Sequence, residues 1–241
     1  MAALELQRKE GVVYILDALG ASGFSDEKIE SFLRVRKDLI ELVESQAEEI
    51  ENSVSGESWH LNKPSTYTFG DSIIICYEFS ENNKHAQILS TAIIMQNLLC
   101  QSMSRGIMFR GAFAIGSYIE ESDSNTVMGS AVADAASWYE RADWMGVVST
   151  PKANITIELQ VEEKHLKPDV LWKYPVPLKS SKSFELYTIP WPSALIGKVE
   201  GTDATRVLAA ALHSYSVPLG TEMKFKNTIE YYKNFLGLPE V

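Results

Sequence analysis

The spacing of apolar and polar positions divides the chain into alternating strand-like and helix-like segments. Val12-Val13-Tyr14-Ile15-Leu16 is a compact β-branched and aromatic run that stops at Asp17, as a buried strand does. Gly20, Ser22 and Gly23 then supply a loop, and Ser25 or Asp26 stands ready to cap the next element. From Glu27 to about Asn52, the apolar residues Ile29, Phe32, Leu33, Leu39, Ile40 and Val43 keep helical spacing with no proline between them. His60 to Phe69 and Ser72 to Phe79 read as two strands separated only by Gly70-Asp71, a dipeptide that closes a tight hairpin. Lys84 to Ser104 predicts a long, mostly apolar helix, and Met108 to Ile119 a strand carrying Gly111 and Gly116. Gly129 to Asp143 predicts an alanine-rich helix, with short strands at Gly146–Ser149 and Phe184–Ile189.

The order β-α-β-β-α-β, followed by further αβ elements, predicts an α+β fold of the ferredoxin-like sandwich type. Pro190-Trp191-Pro192 reads as a rigid boundary. Residues 1–192 are therefore expected to form one domain. Residues 193–241, with helices over Thr205–Ser216 and Thr221–Leu236, are expected to pack on it as a helical extension.

Composition narrows the chemistry. Of 241 residues, 45% are hydrophobic and 10% aromatic, enough for a substantial core. Against 32 Asp and Glu stand 22 Lys and Arg, so the formal charge is −10. An acidic chain suits neither nucleic acid nor an anionic membrane, since both need a basic surface. No apolar run approaches the roughly 18 residues of a membrane span. The first ten residues are charged rather than signal-like, and the two cysteines, Cys76 and Cys100, fall in apolar runs. The expectation is a cytoplasmic protein with reduced core thiols.

Two carboxylates stand out by position. Asp17 ends the first strand and Asp71 sits at the tip of a hairpin in the same sheet, 54 residues later. Close carboxylates repel, and a divalent cation is one way to keep both ionised; oxygen-only ligation suits magnesium or manganese. Taken singly, Asp17 is equally a loop cap and Asp71 a turn residue. His60, His85, His165 and His213 are scattered without metal-ligand spacing.

The surrounding residues resemble a known pattern. Ile15-Leu16-Asp17-Ala18-Leu19-Gly20-Ala21-Ser22 is similar to the first metal segment of class III nucleotidyl cyclases, and Tyr67-Thr68-Phe69-Gly70-Asp71 to their second. Phe109 to Gly116 resembles their Arg-x-Gly-x-x-x-Gly strand with looser spacing, and Met128 to Ala136 their Gly-x-x-Val-Asn-x-Ala helix start. The four segments occur in the family's order across about residues 11–190. The resemblance implies two metal ions held by Asp17, Asp71 and the carbonyl of Ala18. It also implies that backbone N–H groups from Ala18 to Ser22, around Gly20 and Ser22, hold the β- and γ-phosphates.

Departures from the pattern bear on specificity. The base-reading Lys and Asp of adenylate cyclases fall at Tyr67 and Thr126 here, a pair poorly matched to the adenine edge. The Tyr-Thr-Phe-Gly-Asp-Ser segment looks like that of the pyrimidine cyclases of bacterial anti-phage (Pycsar) signalling. That likeness implies cyclic UMP or cyclic CMP as product, a homodimer with interfacial active sites, and a separate effector protein. Arg110 is the candidate for contacting the pyrimidine.

Catalytic groups are less clear. The family's transition-state Asn and Arg correspond to Ala133 and Ser137, neither of which can donate as required. Asp134, Arg141, Lys179 and Lys182 are candidate substitutes. An adenylate or guanylate cyclase with an unusual pocket, a non-catalytic nucleotide-binding module and a plain ferredoxin-like interaction domain are the rival readings, the first of them disfavoured by Tyr67 and Thr126. If a triphosphate of about four negative charges does bind so acidic a chain beside two carboxylates, cations must come with it.

Overall fold

The structure is a computed structural model, and it describes residues 6–53, 61–80, 83–121, 125–162, 165–180, 182–198, 201–215 and 220–237. Strand β1 (Leu6–Ala18) runs through the middle of the sheet, and its apolar run is buried on both sides. Val12, Tyr14 and Leu16 face the main core, whereas Val13 and Ile15 face a second, smaller cluster. A continuous apolar run, rather than an alternating one, is what a strand covered on both faces requires.

Helix α1 (Asp26–Ser53), the hairpin β2 (Ser65–Phe69) and β3 (Ser72–Glu78), helix α2 (Lys84–Ser104) and β4 (Phe109–Glu121) complete the βαββαβ unit. The order β2-β3-β1-β4 is antiparallel throughout, so the ferredoxin-like α+β arrangement is present. Helices α1 and α2 cover one face through Phe32, Leu39, Val43, Ile88, Met95 and Leu99. On the other face lies α3 (Ser130–Trp138), whose Ala131 and Ala135 pack on Val13, Ile15, Cys76 and Ala114. Cys76 and Cys100 are both buried free thiols.

Beyond this unit, β6 (Val147–Ser149) runs parallel to β4, and β8 (Ser183–Thr188) and β7 (Trp172–Pro177) extend the same edge. Three further elements are α4 (Pro151–Gln160), α5 (Trp191–Lys198) and α6 (Gly201–His213). The last is α7 (Glu222–Phe235). Leu195, Leu208, Tyr231 and Tyr232 belong to the main core cluster. Tyr231 meets Trp144 edge-on at 4.1 Å, and Trp191 stacks on Tyr232 at 5.9 Å. Among the described residues no helix is long and apolar enough to cross a membrane.

The expected elements differ from the observed ones in instructive places. β1 starts at Leu6, six residues early, because its polar beginning is tied to β4 from Leu6↔Glu121 onward. The alanine-rich helix stops at Trp138 rather than Asp143, since Ala142 must bridge to Leu178 and Trp144 must enter the core. Pro190-Trp191-Pro192 opens α5 rather than breaking the chain, and Trp191 is fully buried there. The β2 strand starts at Ser65, and His60 lies outside the described residues.

Candidate functional site

Strand register brings the first carboxylate to its neighbours. Asp17 lies opposite Ser72 on β3 and opposite Arg110 on β4. Its Oδ1 accepts from Ser72 Oγ at 3.2 Å, and its Oδ2 accepts from Arg110 Nε at 2.9 Å and Nη2 at 2.7 Å. Asp17 is 8% exposed, so this ion pair works in a partly desolvated setting. The residue carrying the second carboxylate is bonded to the next position of β1: the N–H of Ala18 donates to the backbone carbonyl of Asp71 at 3.2 Å. Gly70, at φ 57°, makes the turn, and Arg36 from α1 donates to its carbonyl at 2.7 Å. Asp17 and Asp71 therefore share one end of the sheet.

The loop after β1 follows directly. Gly20 adopts φ 70°, and Ala21–Gly23 form a single 3-10 turn containing Ser22, whose side chain lies outside the described set. Two of the N–H groups anticipated as phosphate donors are already engaged: Ala18 with Asp71 and Leu19 with the carbonyl of Met108 at 2.9 Å. Both are held by backbone carbonyls of neighbouring segments. Between this loop and Asp71 lies a cavity of about 400 Å³, lined by Ala21, Phe24, Phe32, Leu33 and Gly70 among others.

Arg110 links this end of the sheet to the α3 side. Its Nη2 also donates to Glu140 Oε1 at 2.8 Å. Beside it, Tyr139 has its hydroxyl raised above the ordinary tyrosine range, by burial first and then by the charges of Glu140 and Asp17, with Asp71 adding to them. The Arg110 guanidinium acts the other way. Glu140 was not anticipated; it lies seven residues after Ala133, beyond the end of the helix.

Past Glu140, a cavity of about 420 Å³ is lined by Ala136, Ser137, Glu140, Arg141, Leu178, Lys179 and Ser180. It brings together two candidate cations, Arg141 and Lys179, with the Lys179 N–H donating to the Arg141 carbonyl at 3.0 Å. The Arg141 Nε donates to the Ser137 carbonyl at 2.6 Å, and its guanidinium lies over the Trp138 ring. Lys182 is exposed outside this cavity, with its carbonyl accepting from Leu178. Asp134 accepts from Thr150 Oγ1 at 2.6 Å, and Thr150 also caps α4. Its carboxylate is thus committed to holding α4. Ala133 and Ser137 are exposed on the open side of α3.

Tyr67 and Thr126 occupy different surroundings. Tyr67 packs with Ile74 and Val127 in the second cluster, where burial and then Glu120 push its hydroxyl well above the ordinary range. Glu120 is itself 7% exposed and paired with Lys9 at 2.7 Å. Thr126, on β5 (Thr126–Met128), lines another cavity with Leu6, Ile119 and Met128. Because side chains alternate along a strand, it is Val127 that shares the Tyr67 side.

No family model matches the chain, and no curated protein matches it. Among solved structures it is similar to the catalytic core of a rhodopsin-guanylyl cyclase with converted specificity in complex with ATPalphaS. That likeness is at 12% identity and a TM-score of 0.49, covering 76% of this chain and 97% of the other. Nothing about activity follows from a likeness at that level.

Proposed function

We propose that the chain is a metal-dependent nucleotide cyclase acting on a pyrimidine nucleoside triphosphate, with UTP preferred and 3′,5′-cyclic UMP and pyrophosphate as products. The carrying observation is the meeting of Asp17 and Asp71 at one sheet end, next to the Gly20 loop, on residues that resemble the two metal segments of class III cyclases. In that reaction the ribose 3′-oxygen forms a bond to the α-phosphorus, the bond to the β-phosphate oxygen breaks, and the hydroxyl loses its proton.

The donor chemistry fits divalent ions in the presence of substrate. Two carboxylates and the Ala18 carbonyl are hard oxygen donors, suited to two magnesium or manganese ions. Among the described residues there is no cluster of three or more His, Cys, Asp or Glu that could hold a metal. Triphosphate oxygens are therefore needed to complete the shell. Bound metal would supply charge neutralisation and a more acidic 3′-hydroxyl.

The chain's own residues orient the rest. The resemblance puts base reading at Tyr67, a neutral and bulky contact, and at Thr126, although Thr126 lines a different cavity and Val127 shares the Tyr67 side. Arg110 keeps Nη1 outside its bonds to Asp17 and Glu140, a donor for a pyrimidine carbonyl. Arg141 and Lys179, with Lys182 on the same turn, are the cations available for developing phosphate charge. The resemblance extends the proposal to a homodimer with interfacial sites and to a cyclic nucleotide read by a separate effector in anti-phage defence. The exposed Ala133 and Ser137 favour a second reading, a nucleotide-binding module without turnover.

The test is direct. The purified chain with manganese is given each of the four nucleoside triphosphates, and products are separated by mass. Cyclic UMP from UTP is the expected result. Cyclic CMP alone would reassign the base. Binding without any cyclic product would overturn the enzyme reading in favour of the binding module.

A further inference from the structure

The loop that follows Asp17 is held from the far end of the chain. Tyr215 stands two residues beyond the end of α6, half-buried, and its hydroxyl accepts from the Met108 N–H at 2.6 Å. The Met108 carbonyl accepts from the Leu19 N–H at 2.9 Å, so Tyr215 reaches the loop through a single residue. Its ring also covers the loop directly. A Cβ placed on Gly20 would lie 3.6 Å from Tyr215 Cδ1 and 3.7 Å from its Cε1, ordinary van der Waals contact. Gly20 adopts φ 70° and opens the 3-10 turn, yet it has no side chain with which to cap it. Lys28, in the first turn of α1, closes the arrangement. Its Nζ lies 4.6 Å from the centre of the Phe24 ring and 4.8 Å from that of Tyr215, and donates to the Ser214 carbonyl at 3.5 Å.

We propose that Tyr215 is a positioning residue of the candidate site: from the helical extension it fixes Leu19 and Gly20, and with them the shape of the loop beside Asp17. A tyrosine that served only to dock the tail could seat its ring anywhere on the core. Both of its contacts instead converge on consecutive loop residues, two and three positions after Asp17. Met108 is the pivot, since it stands immediately before β4, the strand that carries Arg110. One side chain thus ties together the end of α6, the start of β4 and the loop after β1. A loop built round a left-handed glycine loses backbone entropy when it is ordered, and contacts from outside the loop offset that cost. The extension therefore shapes the site without supplying a charge or a ligand to it. What the loop holds, the phosphates of a triphosphate, rests on the cyclase reading; the clasp on the loop does not.

The test compares three variants of the full chain, each checked for folding by circular dichroism. Tyr215→Leu removes ring and hydroxyl, Tyr215→Phe keeps the ring, and Thr205→Val removes the hydroxyl contact of Thr205 with Tyr232 at the other end of α6. Hydrogen exchange followed by mass spectrometry reads the amides of Ala18, Leu19, Gly23 and Phe24, all of them bonded in wild type. Tyr215→Leu is expected to speed exchange in residues 18–24 about tenfold, the scale of one lost hydrogen bond, with β7 and β8 unchanged. Tyr215→Phe should fall between it and wild type, and Thr205→Val should leave residues 18–24 as they are. Unchanged exchange there in a folded Tyr215→Leu, or an equal increase in Thr205→Val, overturns the inference. Turnover separates the two claims. With UTP and manganese, Tyr215→Leu is expected to raise KM about tenfold while Thr205→Val leaves it unmoved. Faster loop exchange in Tyr215→Leu, with no cyclic product from wild type and any triphosphate, sinks the cyclase reading alone. Cyclic product whose KM and kcat are both unmoved in Tyr215→Leu sinks the positioning role alone.

Discussion

Arg110 grips Asp17 through both Nε and Nη2, and the two residues face each other directly across β4 and β1. Their side chains are 13% and 12% exposed. Two N–H groups of a planar fork meet one carboxylate oxygen, while Ser72 satisfies the other. The pair therefore fixes the orientation of the carboxylate at the end of β1.

Removing one partner of such a pair leaves a buried charge without compensation. Arg110→Gln is expected to lower unfolding stability by roughly 2–4 kcal/mol in urea titrations. Arg110→Lys should fall between the two, because an ammonium cannot reproduce the fork. Combining Arg110→Gln with Asp17→Asn should recover part of the loss, since no buried charge then remains. A double variant showing the full sum of the single losses would mean that the two groups do not interact in solution.

Asp71 offers the contrasting case. Its backbone carbonyl serves β1, which alanine preserves, and the residue lines the cavity by the Gly20 loop. Asp71→Ala should leave stability within about 0.5 kcal/mol of wild type, as substitutions away from buried networks usually do. If the proposed cyclase reading is right, turnover should fall by about 10²–10³-fold, the loss of several kcal/mol of charge stabilisation. Retained turnover in a folded Asp71→Ala would remove the two-carboxylate account.

Much of the scaffold was readable because its signals are local. The limits of α2 follow from an uninterrupted apolar helix between Lys84 and Ser104, and the β2–β3 turn follows from Gly70-Asp71 alone. Strand β7 was not read, because Pro175 and Pro177 argue against pairing; it survives as the sheet's last strand, where one side needs no partner. Helix α4 carried a readable start in Thr150-Pro151, a cap followed by a first-turn proline, but its mixed apolar spacing gave no face. The site was half legible. Asp17 and Asp71 could be named from their neighbours in sequence. Arg110's bond to Asp17 depends on a register set 93 residues apart, and Glu140's role depends on where the chain turns after α3. The contrast between Thr126 and Val127 rests on the parity of a three-residue strand.

Thr228 tests the docking of the tail. It is fully buried, and its hydroxyl both accepts from the Met145 N–H and donates to Lys224. Thr228→Val keeps the volume but leaves that N–H without an acceptor, so a loss of about 1–3 kcal/mol is expected in urea unfolding. Thr228→Ser, which keeps the hydroxyl, should lose less. Equal losses in both variants would assign the effect to packing rather than to the bond.

Tyrosine burial sets the alkaline limit of the fold. Tyr14, Tyr77, Tyr118 and Tyr231 are each at most 1% exposed, and burial pushes their hydroxyls far above the ordinary range. Tyr215 is pushed up to about 12 by burial, with the Met108 N–H bond acting the other way. An unfolded tyrosine ionises near pH 10. The folded state holds these protons more tightly, so the contribution is complete below about pH 10 and is lost as pH rises through the folded values. Urea midpoints should therefore be unaffected by these groups up to about pH 9 and fall steeply above 10. Tyrosinate absorbance from these five residues should rise together with the loss of circular dichroism. Full tyrosine ionisation with the far-ultraviolet signal intact would show that the five hydroxyls reach solvent in the native state.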